Sequence, residues 1–311
     1  MNPPNPLNPA NPLDPIGVAP RPVYLVPLPD GRFLELGERT LVMGVLNVTP
    51  DSFADGGRFA DPDRAADAAL EMDAAGADLI DIGGESTRPG ADPVSADEER
   101  ARIEPVLERL AGRLKAAISI DTYKAAVAEA AIDRGASLVN DISALRYDPD
   151  LARVVARSRA ALILMHNRGR SRDMYRAASY GNVPDDVADE LGERIAVAEA
   201  AGIERERLII DPGIGFAKRA DHSLAMLAGL PRLIRLDRPV LVGPSRKSFL
   251  QAALGDRPTD RREWATAAAV TASVLLGAHI VRVHGVSEMV DVVRTADAIR
   301  RAGESTAHDR R

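Results

Sequence analysis

The chain has 311 residues, 45% of them hydrophobic but only 4% aromatic, so any core must be built from Ala, Val, Ile and Leu. A formal charge of −6 offers no cationic footprint for nucleic acid or an anionic membrane and points instead to small-molecule substrates. The absence of cysteine excludes disulfides, thiolate metal sites and cysteine nucleophiles, while the lack of a signal pattern or of any apolar run near the roughly 18 residues of a membrane span makes the cytoplasm the expected location.

Residues 1–22 hold eight of the 22 prolines, with Asn-Pro recurring at Asn2, Asn5, Asn8 and Asn11. This composition predicts a disordered, extended tail, because proline donates no backbone hydrogen bond and fixes φ. Val23–Val26 and Phe33–Leu36 flank Pro29-Asp30-Gly31, the pattern of a hairpin, expected to plug one end of the larger fold built by the rest of the chain. Eight short runs rich in Val, Ile and Leu then recur at 41–46, 78–82, 118–121, 137–141, 161–166, 208–211, 240–243 and 279–283, with Ala-rich segments between most of them. Ile103, Val106, Leu107, Leu110 and Leu114 trace one face of a helix. Gly76 and Gly135 stand just before the next strand, where a left-handed helix cap belongs. Continuously apolar strands that alternate with helices imply a parallel sheet covered on both faces. Eight such units predict a (β/α)₈ TIM barrel over residues 23–303, with 304–311 fraying.

Such a barrel works at the C-terminal ends of its strands. Here those ends read Asn47-Val48-Thr49-Pro50-Asp51-Ser52-Phe53, Asp81-Ile82-Gly83-Gly84-Glu85-Ser86-Thr87-Arg88-Pro89-Gly90, Asp121-Thr122, Asn140-Asp141, Met165-His166-Asn167, Asp211-Pro212-Gly213, Gly243-Pro244-Ser245-Arg246-Lys247-Ser248 and Arg282-Val283-His284. Each has an ordinary alternative. Asp51, Asp55 and Asp141 suit helix caps or Asx turns as well as function, Asp211-Pro212-Gly213 suits a turn, and His166 suits a hydrogen-bonded core or rim position. No HxH or HExxH spacing supports metal binding by imidazole. Eight polar ends at one mouth nevertheless exceed what capping requires. Asp121, Asn140, Asp211 and Lys247 match the donors and acceptors of a planar, nitrogen-rich heterocycle, on which an arginine can stack. Asn47, Arg282 and His284, with a helix start expected after residue 243, suit a phosphate or pyrophosphate. The Gly- and Pro-rich segments 49–57 and 83–90 read as loops that fold over the site.

In this order, and with Gly213-Ile214-Gly215-Phe216 after the sixth strand, the ends resemble those of the dihydropteroate synthases of folate biosynthesis, from about Leu41 to about Ile299. The resemblance implies a (β/α)₈ barrel that joins p-aminobenzoate to 6-hydroxymethyl-7,8-dihydropterin pyrophosphate. It also implies Mg²⁺ assistance, sensitivity to sulfonamides and a homodimer, which barrels of this kind commonly build through outer helices; no nucleic-acid or membrane partner is expected from the charge. It assigns the pterin to Asp121, Asn140, Asp211 and Lys247, with Met165 and Phe216 lining the pocket and Arg282 packed on the ring. Asn47, Arg282 and His284 would hold the pyrophosphate, with Asn47 near Mg²⁺. Phe53, Thr87, Arg88 and Ser248 would shape the aminobenzoate site, its carboxylate near Ser248 at a helix N-terminus. The implied mechanism is dissociative: Asp51 faces a pterin methylene cation, Lys247, Arg282 and His284 are the other catalytic groups, and no strong base is needed. Ala217 stands where the family often has glycine, and 168–182 does not align. A methyltetrahydrofolate-type methyltransferase domain, an idle pterin-binding paralogue and a Schiff-base role for Lys247 are the alternatives; Ser245-Arg246-Lys247-Ser248 and Arg282-Val283-His284 argue against the first.

Overall fold

The computed structural model describes residues 18–19, 21–49, 61–87, 90–170, 174–255 and 257–308. Strands β1 (Tyr24–Pro27) and β2 (Phe33–Leu36) form the expected antiparallel hairpin, with Tyr24 opposite Leu36. Eight parallel strands come after it: β3 (Leu41–Asn47), β4 (Leu79–Gly83), β5 (Ala117–Asp121), β6 (Leu138–Asp141), β7 (Ala161–Met165), β8 (Leu208–Asp211), β9 (Leu241–Val242) and β10 (Ile280–Val283). Their order is β8-β7-β6-β5-β4-β3-β10-β9, and a parallel bridge between Ile210 and Val240 closes the circle. This is the (β/α)₈ barrel that eight apolar runs imply. The outer layer comprises α1 (Pro62–Ala74), α2 (Ala96–Leu110), α3 (Ala125–Ile132), α4 (Leu151–Ser158), α5 (Val183–Ala200), α6 (Ala220–Ala228), the single turn α7 (Gln251–Leu254), α8 (Glu263–Leu275) and α9 (Val286–His308).

The alternation of each strand sorts its residues into two cores. Val42, Ile80, Ile118, Val139, Leu162, Ile210 and Val281 face outward into the helix layer, in one cluster with Ile103, Val106, Leu107 and Leu110 of α2 and the apolar faces of the other helices. Leu41, Leu79, Ala117, Leu138, Ala161, Ile209, Leu241 and Ile280 face inward, in one cluster with Val26, Leu28, Leu34 and Leu36 of the hairpin. The hairpin therefore plugs the N-terminal mouth of the barrel. Above that apolar floor the inward positions turn polar, and the register sets Asp121 beside Asn140 and Met165 beside Asp211.

Part of the segment expected to be tail is packed. Ala19 is buried, and the buried Arg21 guanidinium pairs with Asp297 at 2.9 Å and reaches Thr40 and Ala278. Helix α9 likewise continues to His308, into the segment expected to fray.

Candidate active site

The floor of the open mouth is an ion network. Wholly buried Asp81 accepts from Arg282 Nε at 2.6 Å and from Asn140 Nδ2 at 2.8 Å, and Arg282 Nη2 also donates to Asp121 at 2.8 Å. One guanidinium thus serves two carboxylates. Burial pushes the Asp121 carboxyl up to about 7 against the pull of Arg282, with Asp81 and Glu99 adding to the rise. The second oxygen of Asp81, the second oxygen of Asp121 and the amide oxygen of Asn140 are buried without a hydrogen-bond partner among the described residues. Buried acceptors are normally paired, so three together mark a place that takes N–H donors from outside the protein.

One wall comes from the ends of β8 and β9. Asp211 accepts from Gly213 N at 2.7 Å, so the turn expected of Asp-Pro-Gly is made by the same carboxylate that faces the mouth. Burial raises its pKa, opposed by Lys247. Lys247 donates to Ile214 O at 2.6 Å and stands 4.6 Å from the centre of the Phe216 ring. Burial draws its ammonium down to about 8, opposed by Asp211. Met165 is buried at the end of β7, Asn47 is half-buried at the end of β3, and half-buried His284 follows β10 with Nδ1 2.9 Å from Ser245 Oγ. Thr87 is half-buried and Ser248 lies exposed at the rim. Asp51, Phe53 and Arg88 lie outside the described residues.

Two expectations change. The helix expected after residue 243 is only a 3₁₀ turn, Ser248–Leu250, followed by the four residues of α7, because Gly255 in the left-handed region and Pro258 stop it. Ser248 therefore lacks the dipole of a full helix. Asp141, for which a helix cap, an Asx turn and function all stand open in the sequence, makes the turn: it accepts from Ser143 N at 2.7 Å and from Leu145 N at 2.5 Å, and no helix begins there.

Three contributors carry no role in the sequence reading. Asp81 sits within an apolar strand, and its inward parity, two residues after Leu79, was the available signal. Buried Ser245 orients His284. Lys218 lies buried behind the wall against His166, which is the hydrogen-bonded core residue that one of its ordinary readings describes. Burial, together with Lys218, lowers His166 to about 4 and keeps it neutral. Lys218 itself is drawn down to about 7 by burial, opposed by Asp211.

Away from this mouth, a cleft of about 430 Å³ opens beside the hairpin, and Asp78 and Arg39 in its lining pair with each other at 2.5 Å. Among the described residues no helix is long and apolar enough to cross a membrane.

A family profile described as "Pterin binding enzyme" matches residues 43–284. The dihydropteroate synthase of Synechocystis sp. is 44% identical over 276 residues, covering 88% of this chain and 96% of that one. A Xanthomonas albilineans dihydropteroate synthase solved with 4-aminobenzoic acid superposes with TM-score 0.82 at 42% identity, covering 88% of this chain and 98% of that one. A Burkholderia cenocepacia dihydropteroate synthase complexed with 7,8-dihydropteroate gives TM-score 0.80 at 41% identity, covering 91% and 98%.

Proposed function

The chain belongs to the pterin-binding enzymes and, among them, to the dihydropteroate synthases, transferases of folate biosynthesis; from that premise we propose how its residues divide the work. The pterin ring sits on Asp121, Asn140 and Asp211, with Lys247 at its edge, Met165 and Phe216 as walls and Arg282 packed on its face. What carries this seating is the set of buried, unpartnered oxygens on Asp121, Asn140 and Asp81, which an N–H-rich heterocycle would satisfy. Lys247 and Arg282 offset the inward carboxyl groups of Asp81, Asp121 and Asp211, and the raised Asp121 carboxyl can hold or release a proton as the ring requires.

In the reaction the bond between the pterin methylene carbon and the pyrophosphate oxygen breaks, and the electron pair leaves with pyrophosphate. The arylamine lone pair then forms the C–N bond, and the nitrogen gives up one proton to water or to the departing pyrophosphate. Asn47, Arg282 and His284 receive the pyrophosphate, with Ser245 holding the His284 ring. Asp51 faces the methylene cation, and Phe53, Thr87, Arg88 and Ser248 shape the aminobenzoate site. For Asp51, Phe53 and Arg88 the resemblance alone supports the role.

Mg²⁺ fits this arrangement. A hard cation that keeps several waters and takes phosphate oxygens needs few protein ligands, and Asn47 offers one amide oxygen. Among the described residues no cluster of three acidic or histidine ligands forms a cage of its own. When bound, the ion would neutralise charge on the leaving pyrophosphate. A homodimer is also part of the proposal: the chain's one tryptophan, Trp264, is 89% exposed on α8, and Leu224 is exposed on neighbouring α6.

Incubation with the pterin pyrophosphate, p-aminobenzoate and Mg²⁺ is expected to yield 7,8-dihydropteroate and pyrophosphate. Pterin binding without product would identify an idle paralogue, and absence of pterin binding would overturn the seating.

A further inference from the structure

The loop between β8 and α6 contains little hydrogen bonding of its own. Gly213, Gly215 and Ala217 all lie at positive φ, and the alternation leaves one backbone turn, Phe216 N to Gly213 O at 3.0 Å. Buried carbonyls still need donors, and side chains provide them. Lys247 donates to Ile214 O at 2.6 Å, Tyr175 to Gly215 O at 3.5 Å, and Tyr180 to Ala217 O at 3.0 Å. Lys218, 2% exposed, reaches two more with its Nζ, each at 3.2 Å: Phe216 O and Gly213 O, the latter also accepting from Phe216 N. Its third N–H points to His166 Nδ1 at 2.8 Å, so three donors meet three acceptors. That contact places the His166 proton on Nε2, which donates to Glu190 at 3.2 Å.

We propose that Lys218 is a positioning residue for the pterin pocket: its ammonium is the internal template on which residues 212–217 are wound, and this holds the Asp211 carboxylate and the Phe216 ring toward the substrate. The inference rests on the pterin seating proposed above. Lys218 touches no substrate, and its effect passes through Gly213, next but one to Asp211, and through Phe216 itself. The aminobenzoate side, at Thr87 and Ser248, lies on the loops after β4 and β9 and not on the one after β8, so the two substrates respond differently.

Lys218→Met keeps the length of the side chain and removes every donor, and Lys218→Gln restores part of the donor set. Steady-state kinetics of the full-length variants are expected to show KM for the pterin pyrophosphate raised about tenfold or more in Lys218→Met and by less in Lys218→Gln, with KM for p-aminobenzoate within about twofold of wild type. Unchanged KM values in a folded Lys218→Met protein overturn the template role. A parallel rise of both KM values with a lower Tm also overturns it, as does loss of folding in both variants, because the lysine then serves the core and not the pocket. Wild-type protein assayed alongside separates the two readings: no dihydropteroate from wild type removes the synthase seating, whereas normal wild-type turnover with indifferent variants removes only the template.

Discussion

Asp81 ties together two groups that the mouth needs, Arg282 and Asn140. In Asp81→Ala the half-buried guanidinium keeps only Asp121, and the buried amide loses its acceptor. A cost of about 3–5 kcal/mol is expected in urea unfolding, the range for removing one partner of a buried charge pair, with Asp81→Asn milder. Stability within about 0.5 kcal/mol of wild type would contradict the network. The sequence made Asp121, Asn140 and Asp211 legible because each ends a strand, where a polar side chain stands out. Asp81 was hidden inside Leu79–Gly83, where hydrophobicity dominates and only side-chain parity distinguishes the interior from the helix layer. Ala217 shows the reverse case. Its φ of +47° is the conformation glycine adopts most easily, which accounts for the glycine the family often has there but not for the alanine of this chain.

At the scale of elements, the strands and their order could be read from composition, because β-branched runs ended by Gly, Pro or Asp leave few other solutions. The connection after β9 could not. Ser-Arg-Lys-Ser looks locally like a helix start, yet Gly255 and Pro258 end the helical run within about two turns, and that depends on residues downstream of the signal. The hairpin was legible from Asp30-Gly31, and its packing assigns it to stability. Leu36, fully buried against the strand bases, is expected to cost about 2–5 kcal/mol as Leu36→Ala through the cavity it leaves. KM for both substrates should remain unchanged, since the hairpin and the strand ends occupy opposite mouths. A variant that lost substrate affinity at full stability would contradict this division.

For the whole molecule, acid sensitivity follows from buried groups of opposite sign. His279 accepts from Val240 N at 3.1 Å and contacts Pro22 O at 3.0 Å, and burial lowers it to about 4, as burial and Lys218 lower His166. Unfolded histidines titrate near about 6.5. Between about pH 6.5 and 4 the unfolded chain therefore takes up two protons that the folded chain refuses, and stability falls with pH. Asp121 opposes this: its folded value of about 7 exceeds its unfolded value, so the folded state gains a proton over nearly the same window and stability rises as pH falls. Asp211, which burial also raises, adds to this opposition, so Asp121→Asn, which removes part of it, is expected to make stability fall more steeply than in wild type between about pH 6.5 and 4. Urea midpoints of Asp121→Asn that kept the wild-type pH dependence would refute this opposition. The plugged end has a further consequence for traffic. With the hairpin sealing the base, everything that enters or leaves shares one doorway. For the proposed seating, the ring that reaches buried Asp121 must come in before the molecule that lies above it. The joined product must clear the rim before the next ring can descend, so the architecture itself imposes an order of arrival and departure.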